Sequence, residues 1–195
     1  KKIIFLILAL LFSQFCIYYV NSREKDNLNI QLRDPLIDNL PYFEGLDKFY
    51  DLTILPPFIL MLIFFQKLPI ENIITNLSII LILRGLCILT TSIPKLNSCQ
   101  SSTYNDTLLF SGGCYDKIFS CHLAFIITFT LYLINYTDQK DYKIIYYFYI
   151  LVSSLLSLIT ESHYSIDLLI SWILSTTLFF MINKNLDISN LILNN

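Results

Sequence analysis

Histidine occurs at only two positions of this chain, and both lie where a polar stretch meets a long apolar run. These residues are His122 and His163, and Asp167 follows His163 four positions later. On a helix, this spacing places imidazole and carboxylate on one face. The carboxylate can then fix the ring tautomer and leave the other nitrogen to attack or to carry a proton. Because both histidines enter apolar runs, we expect chemistry on a lipid head group. The alternative is that Asp167 only solvates a helix start, where acidic residues are favoured.

A second group of polar residues precedes the first histidine. Asp116 and Ser120 supply a carboxylate and a hydroxyl just before His122, again at a predicted helix start. The N-H groups of a helix start favour an anion, so this position suits a phosphate. We expect Asp116 to contact a cationic head group, although a helix cap and an interfacial histidine would explain the same residues. No metal or other cofactor is expected, since the candidate ligands lack a recognised zinc-site spacing.

Arg84 is a charged residue within an apolar run that ends at Pro94. By helical rise it lies roughly 15 Å from that end, at membrane depth. A membrane arginine faces the bundle interior and a partner by default. We therefore expect Arg84 to form either a structural ion pair or a contact with the substrate. Tyr164 is a candidate for a contact with a cationic head group through its ring.

The composition indicates a membrane protein. Hydrophobic residues make up 55% of the 195 positions and charged residues only 14%, and the mean hydropathy is +0.60. These values are too apolar for an ordinary soluble domain. A net charge of −2 without a basic block excludes the electrostatic pattern of nucleic-acid binding.

Six apolar runs are long enough to cross a bilayer as helices, which takes about 17 to 25 residues. They predict an all-α integral membrane protein, a single six-helix bundle over residues 1–195, with approximate spans 3–20, 49–65, 70–93, 118–136, 142–159 and 166–182. The second span is the weakest, because Pro56 and Pro57 interrupt it. The first could instead be a signal peptide. The chain begins at Lys1 without an initiator methionine, so further residues upstream are allowed.

Six crossings place both histidines on the same side of the membrane. Lysine and arginine divide equally between the two sides once Arg84 is set aside, so they do not give the orientation. The loop before His122 contains Cys99, Cys114 and a glycosylation sequon at Asn105. A disulfide and a glycan both belong to an exoplasmic compartment, and a bridge closing this loop would contribute about 3 kcal/mol. We expect the histidines to face the lumen or the exterior. The alternative is two free thiols and a chance sequon.

Three sequence motifs resemble the sphingomyelin synthase family, within the type 2 phosphatidic acid phosphatase-like superfamily. The family motif CGDxxxSGH is matched by Cys114, Asp116, Ser120 and His122. The family motif HYTxDV is matched by His163, Tyr164, Ser165, Asp167 and the conservative Leu168. A third family motif runs from an arginine to TTLP, here Arg84 followed by Thr91-Ser92-Ile93-Pro94. The first polar loop, with Asp34-Pro35-Leu36-Ile37-Asp38, also resembles the PLPD-containing loop of the family.

The resemblance implies transfer of a phospho-head group from a glycerophospholipid to ceramide with release of diacylglycerol. Phosphocholine or phosphoethanolamine is the first expectation, and phosphoinositol stays open as an alternative. The resemblance also implies a phosphohistidine-type intermediate and a multi-pass protein of the Golgi or plasma membrane. The catalytic residues would be His122, His163 and Asp167, and the head-group contacts Asp116, Arg84, Ser120 and Tyr164.

The chain also departs from the family pattern. Tyr115 and Cys121 replace two motif glycines, and Thr177 stands in place of an arginine. Two alternatives stay open: a lipid phosphate phosphatase that uses water in place of ceramide, and a catalytically impaired lipid-binding relative. Against the first, the chain lacks the KxxxxxxRP motif of the phosphatases and has Ser157 where they carry an arginine.

Overall fold

Helices form all the regular structure that the computed structural model describes, which comprises residues 1–23, 33–43, 45–91, 118–136 and 142–183. Short 3-10 helices lie at Ile37–Asn39 and Phe65–Lys67. The α-helices are α1 (Lys2–Arg23), α2 (Asp47–Leu52), α3 (Leu55–Ile63), α4 (Ile70–Thr90), α5 (Cys121–Tyr136), α6 (Lys143–Ile159) and α7 (Ser165–Ile182). The all-α prediction is confirmed.

Three of these helices are long and apolar enough to cross a membrane, over Lys2–Val20, Ile70–Thr90 and Ser165–Ile182. Three further apolar segments are shorter: Phe49–Ile63, Cys121–Tyr136 and Lys143–Ile159. The outward faces of the helices are apolar, and on α6 they carry Ile144, Phe148, Leu151 and Leu155. Large exposed apolar faces of this kind suit contact with lipid. The count of six crossings stays a prediction.

The predicted span 49–65 is divided in the structure between α2 and α3. Pro56 and Pro57 occupy the second and third positions of the segment that starts at Leu55, where a missing N-H is tolerated. A proline at 57 cannot donate to the carbonyl of Thr53 four residues earlier. The hydroxyl of Tyr149 on α6 donates to that carbonyl instead. The prolines thus explain why the helix is interrupted between α2 and α3, and why the interrupted segment is hydrogen-bonded to α6.

Helix α5 is the centre of the bundle, and every residue from Leu123 to Ile134 is buried. It packs against α3, α4, α6 and α7. Near its end, the amide nitrogen of Asn183, just after α7, donates to the hydroxyl of Tyr132 over 3.0 Å. The Asn183 oxygen accepts from Asn72 of α4 and from Tyr136 over 2.9 and 2.8 Å. This polar cluster joins the C-terminal ends of α5 and α7 to the N-terminal end of α4. Helices α5 and α7 are therefore parallel to each other, and α4 is antiparallel to both.

Helices α1 and α4 pack closely at Gly85. A Cβ atom added at Gly85 would lie 2.7 Å from Cε1 of Phe12 and 3.2 Å from Sγ of Cys16. Small residues allow such close approach between membrane helices. The contact also fixes the neighbouring Arg84, which is 5% exposed, toward the bundle interior.

We expect Gly85→Leu to lower the free energy of unfolding by about 1–3 kcal/mol, because the added side chain overpacks the α1–α4 contact. Gly85→Ala should cost less, since the ring of Phe12 has to move and the thiol of Cys16 has to give way only slightly. Thermal unfolding in detergent measures both effects, with Leu86→Ala, at an exposed position of the same helix, as control. Equal stability of the Gly85→Leu and wild-type proteins would contradict this packing.

Candidate active site

The start of α7 is held by two carboxylates of the protein. Tyr164 caps the helix in an extended conformation, and its backbone N-H donates to Oδ2 of Asp167 over 3.0 Å. The N-H of Ser165 donates to Oδ2 of Asp34 over 2.6 Å, although Asp34 is 131 positions away in sequence. The other oxygen of Asp34 accepts from the N-H of Leu36 over 3.0 Å. The first polar loop is thereby fixed against the helix that carries the HxxxD motif.

The hydrogen bonds of Asp34 keep it ionised. Burial raises the pKa of this carboxyl, but hydrogen bonds from the amide and hydroxyl of Ser165 and from the amides of Leu36 and Ile37 outweigh it, so the pKa lies below its usual value. The positive end of the α7 dipole favours the same charged form. Asp34 is therefore an anionic helix cap, which the sequence did not predict.

His163 lies beside the buried carboxylate of Asp167, but not on a shared helical face, because α7 begins only at Ser165 and Tyr164 before it is extended. Its Nδ1 atom is 3.7 Å from Oδ2 of Asp167, and the side chains are 12% and 0% exposed. This distance is too long for a hydrogen bond but short enough for an ion pair when the ring is protonated. Catalytic contacts in ligand-free sites are often long and tighten with substrate. Nδ1 faces the carboxylate, so Nε2 is the atom on the opposite side of the ring.

The expected phosphate site at the helix starts needs revision. The Tyr164 and Ser165 amides at α7 already donate to carboxylates, and two negative charges there disfavour an anion. At α5, the N-H of Leu123 donates to the Ser120 hydroxyl over 3.3 Å. The amides of Tyr164 and Ser165 are therefore not available to bind phosphate oxygens, and Arg84 becomes the stronger candidate for that role.

Ser120 joins the starts of α5 and α7. Its hydroxyl lies 3.0 Å from that of Tyr50, and its carbonyl accepts from Oγ of Ser171 over 3.0 Å. The one hydroxyl proton of Ser171 is shared between that carbonyl and the carbonyl of Asp167, one turn earlier, at 2.7 Å. Ser120 is fully buried and positions the two helices in this structure; its contact with a head group stays a prediction.

The ring of His122 is held by the segment between α2 and α3. Its Nε2 atom lies 3.0 Å from Oγ1 of Thr53. The ring of Tyr50 packs against the imidazole at a centroid distance of 4.5 Å, tilted by 40°. Tyr50 is itself 4% exposed. These contacts fix the direction of the imidazole plane.

Arg84 and His122 line the same small cavity, which is partly open to the outside. Among the described residues its lining is Leu10, Gln14, Ile54, Leu81, Arg84, Cys121, His122 and Phe125. His163 and Asp167 are not part of that lining. Arg84 and His122 therefore share one cavity. The hydrogen bond from Ser171 of α7 to the carbonyl of Ser120 joins the helix start that follows His163 to the one that carries His122.

Tyr164 is a packing residue in this structure. Its ring is 2% exposed and packs against Ile37 and Ile118. Burial raises the pKa of its hydroxyl, and the neighbouring charges of Asp167, Asp34 and Glu161 raise it further. A buried ring has no surface for a head group, so the expected contact is not supported here.

Four predicted site residues lie outside the described part of the chain: Asp116, Cys99, Cys114 and Asn105. Their roles stay predictions. The residues that contact the site and were missed include Asp34, Tyr50, Thr53, Ser171 and Gln14. Asp34 precedes a proline, a pattern typical of a turn, which was a usable signal. Nothing local marked Thr53 or Ser171.

We expect Asp34→Ala to lower the free energy of unfolding by about 1–2 kcal/mol through loss of a helix cap, and Asp34→Asn to cost less. Since the folded pKa lies below the unfolded value of about 3.9, the contribution of the carboxylate is present above that pH and is lost as the pH falls through the folded pKa. The measurement is thermal unfolding against pH, where the wild-type advantage should shrink below about pH 4. Asp38→Ala, at an exposed position of the same loop, is the control. If the Asp34→Ala protein were as stable as wild type at neutral pH, Asp34 would not stabilise the start of α7.

Comparisons with known proteins match the C-terminal part of the chain. Residues 113–184 match the family model described as PAP2 superfamily C-terminal. A phosphatidylinositol:ceramide inositolphosphotransferase of rice, from Oryza sativa subsp. indica, is 33% identical over 73 residues, covering 37% of this chain and 22% of the rice protein. Phosphatidylinositol:ceramide inositolphosphotransferase 2 of Arabidopsis thaliana is 31% identical over 74 residues, covering 38% of this chain and 24% of that protein. The alignments thus span about a quarter or less of each relative's length.

The matched region contains both histidines, Asp167 and the helices that carry them. It therefore includes α5, α6 and α7, whose contacts form most of the candidate active site. Residues 113–184 are thus similar to the C-terminal part of the PAP2 superfamily, and the superfamily resemblance of the sequence motifs in this region is confirmed.

Proposed function

We propose that the protein is a ceramide phosphotransferase, which moves a phospho-head group from a glycerophospholipid to the primary hydroxyl of ceramide and releases diacylglycerol. The observation that carries the proposal is the junction of two helix starts. Ser171 binds the carbonyl of Ser120, just before His122, and the carbonyl of Asp167, the partner of His163. Two histidines at joined helix starts, one of them beside a carboxylate, provide a nucleophile and a proton carrier.

In the first step, Nε2 of His163 attacks the phosphorus of the donor lipid. A P–N bond forms and the P–O bond to diacylglycerol breaks, while protonated His122 gives its proton to the departing oxygen. Asp167 faces Nδ1 at 3.7 Å and stabilises the positive charge that the imidazole gains. Arg84, in the cavity with His122, would bind the phosphate oxygens.

In the second step, the primary hydroxyl of ceramide attacks the same phosphorus. His122 accepts the hydroxyl proton, the P–N bond breaks, and His163 returns to its starting state. General acid-base assistance of this kind contributes typically about 10²–10⁴ in rate. Dividing the transfer into two displacements lets each lipid react in turn.

The head group that fits best is phosphoinositol. The sequence motifs alone favoured choline or ethanolamine, which are cationic. Among the described residues, the cavity lining includes Arg84 and Gln14 but no carboxylate, so a cationic group would find no anion in this part of the lining. A neutral polyol on an anionic phosphate can bind an arginine and an amide. The two plant relatives are phosphatidylinositol:ceramide inositolphosphotransferases by name, which supports the same choice.

The reaction would take place at one membrane surface. The starts of α5 and α7 and the end of α4 lie at the same end of the bundle, which we assign to the lumenal or exterior side of the Golgi or plasma membrane. The partners would be ceramide, the donor glycerophospholipid and diacylglycerol, all supplied from the surrounding bilayer.

Membranes containing the protein should convert labelled ceramide when phosphatidylinositol is added, with less product from phosphatidylcholine or phosphatidylethanolamine. We expect His163→Ala to lower the rate by about 10²-fold or more, because the nucleophile is lost. Asp167→Asn should also lower it while keeping a side-chain acceptor for the Tyr164 amide. Chromatography of the labelled lipid identifies the product.

Leu169→Ala, at an exposed position of α7, is the control and should retain wild-type activity. Choline or ethanolamine product in place of inositol product would change the head group but keep the transferase. Release of the head-group phosphate to water without ceramide would indicate the phosphatase alternative. No turnover of any donor would indicate the impaired, lipid-binding relative.

A further inference from the structure

Thr53 lies between two groups that compete for its single hydroxyl proton. Its Oγ1 atom is 2.6 Å from the backbone carbonyl of Tyr50 and 3.0 Å from Nε2 of His122. A carbonyl oxygen only accepts, so two oxygens this close need the threonine proton between them. The hydroxyl then has only lone pairs left for the histidine. Nε2 must therefore carry a hydrogen and donate it to Thr53.

We infer that Thr53 is a positioning residue, which holds His122 in the tautomer with hydrogen on Nε2 and so makes Nδ1 the atom that gains and loses a proton. The tautomer follows from the hydrogen bonds alone, whereas its role in catalysis rests on the proposed function. In the neutral ring one nitrogen donates and the other accepts. With Nε2 occupied, the lone pair of the neutral imidazole is on Nδ1.

Several contacts keep Thr53 itself in place. Its N-H donates to the carbonyl of Tyr50 over 3.0 Å, and its own carbonyl accepts from the hydroxyl of Tyr149. Pro57 cannot supply the helical donor for that carbonyl, so the tyrosine from α6 takes its place. The hydroxyl of Thr53 is thus presented to the imidazole from a backbone fixed on both sides.

A second face of the imidazole is fixed by Tyr50. The two rings pack at 4.5 Å, and the hydroxyl of Tyr50 is held 3.0 Å from that of Ser120. Rotation of the imidazole would break the Thr53 bond and the ring contact together. In the proposed cycle the Nε2 hydrogen therefore stays in place, while Nδ1 gives its proton to the leaving diacylglycerol oxygen and later takes one from ceramide.

The tautomer can be read by nitrogen NMR of detergent-solubilised protein with ¹⁵N-labelled histidine, because the chain contains only two histidines. The variant His163→Gln leaves His122 as the sole labelled ring. At a pH where the ring is neutral, we expect protonated Nε2 and unprotonated Nδ1, unchanged in Thr53→Ser. Thr53→Val keeps the shape but removes the acceptor, so both tautomers should appear. Hydrogen on Nδ1, or a Thr53→Val spectrum identical to that of Thr53→Ser, would overturn the inference.

Activity separates this role from a merely structural one. In the otherwise wild-type protein, Thr53→Val should lower kcat about tenfold, the value of one hydrogen bond, with KM little changed, and Thr53→Ser should restore kcat to near wild type. Equal kcat in Thr53→Val and wild type would remove Thr53 from the mechanism. Absence of transfer by the wild-type protein would refute the proposed function but not the NMR result.

Discussion

The first turn of α7 is the constraint on which the candidate site depends. A helix start has N-H groups without helical partners, and in an apolar bundle each unpaired group is costly. Here Asp167 binds the Tyr164 amide and Asp34 binds the Ser165 amide. The same two bonds fix the polar loop, set the direction of α7 and place Asp167 beside His163. In the proposed mechanism, capping and catalysis therefore use one carboxylate, so the HxxxD motif has to lie where the helix begins.

The remaining polar groups connect helices in a bundle whose outer faces are apolar. Ser120 and Ser171 join the starts of α5 and α7, and Asn183 joins their ends to α4. Lipid tails are as apolar as leucine, so burial of apolar surface does little to choose between helix arrangements. Hydrogen bonds at both ends and close contacts such as Gly85 supply that choice. The arrangement leaves Arg84 and His122 on one cavity, where a phosphate can be held beside a proton carrier.

Much of this could be predicted from the sequence, because it depends on local patterns. Apolar runs predicted the helices. The HxxxD motif predicted that His163 and Asp167 lie close together, but on a shared helical face, whereas the structure brings them together at a capped helix start. The rest depends on partners that are distant in sequence. Asp34 meets Ser165 across 131 positions and Thr53 meets His122 across 69, and no local pattern records such pairs. Ser120 and Tyr164 match family motifs, but a motif does not tell a buried positioning side chain from a ligand contact. The prolines at 56 and 57 predicted the break after α2. They did not predict that the hydroxyl of Tyr149 would donate to the carbonyl of Thr53, which the break leaves without a helical donor.

The central claim is that His163 is the nucleophile. The most direct measurement is to incubate the protein with phosphatidylinositol that carries radiolabelled phosphate, without ceramide, and to count label bound to the chain after denaturation in alkali, since phosphohistidine is labile in acid. Label should be bound to the wild-type chain, absent from His163→Ala, and released as labelled sphingolipid when ceramide is added before denaturation. Equal labelling of wild type and His163→Ala, or transfer to ceramide by a protein that never carries label, would contradict the account.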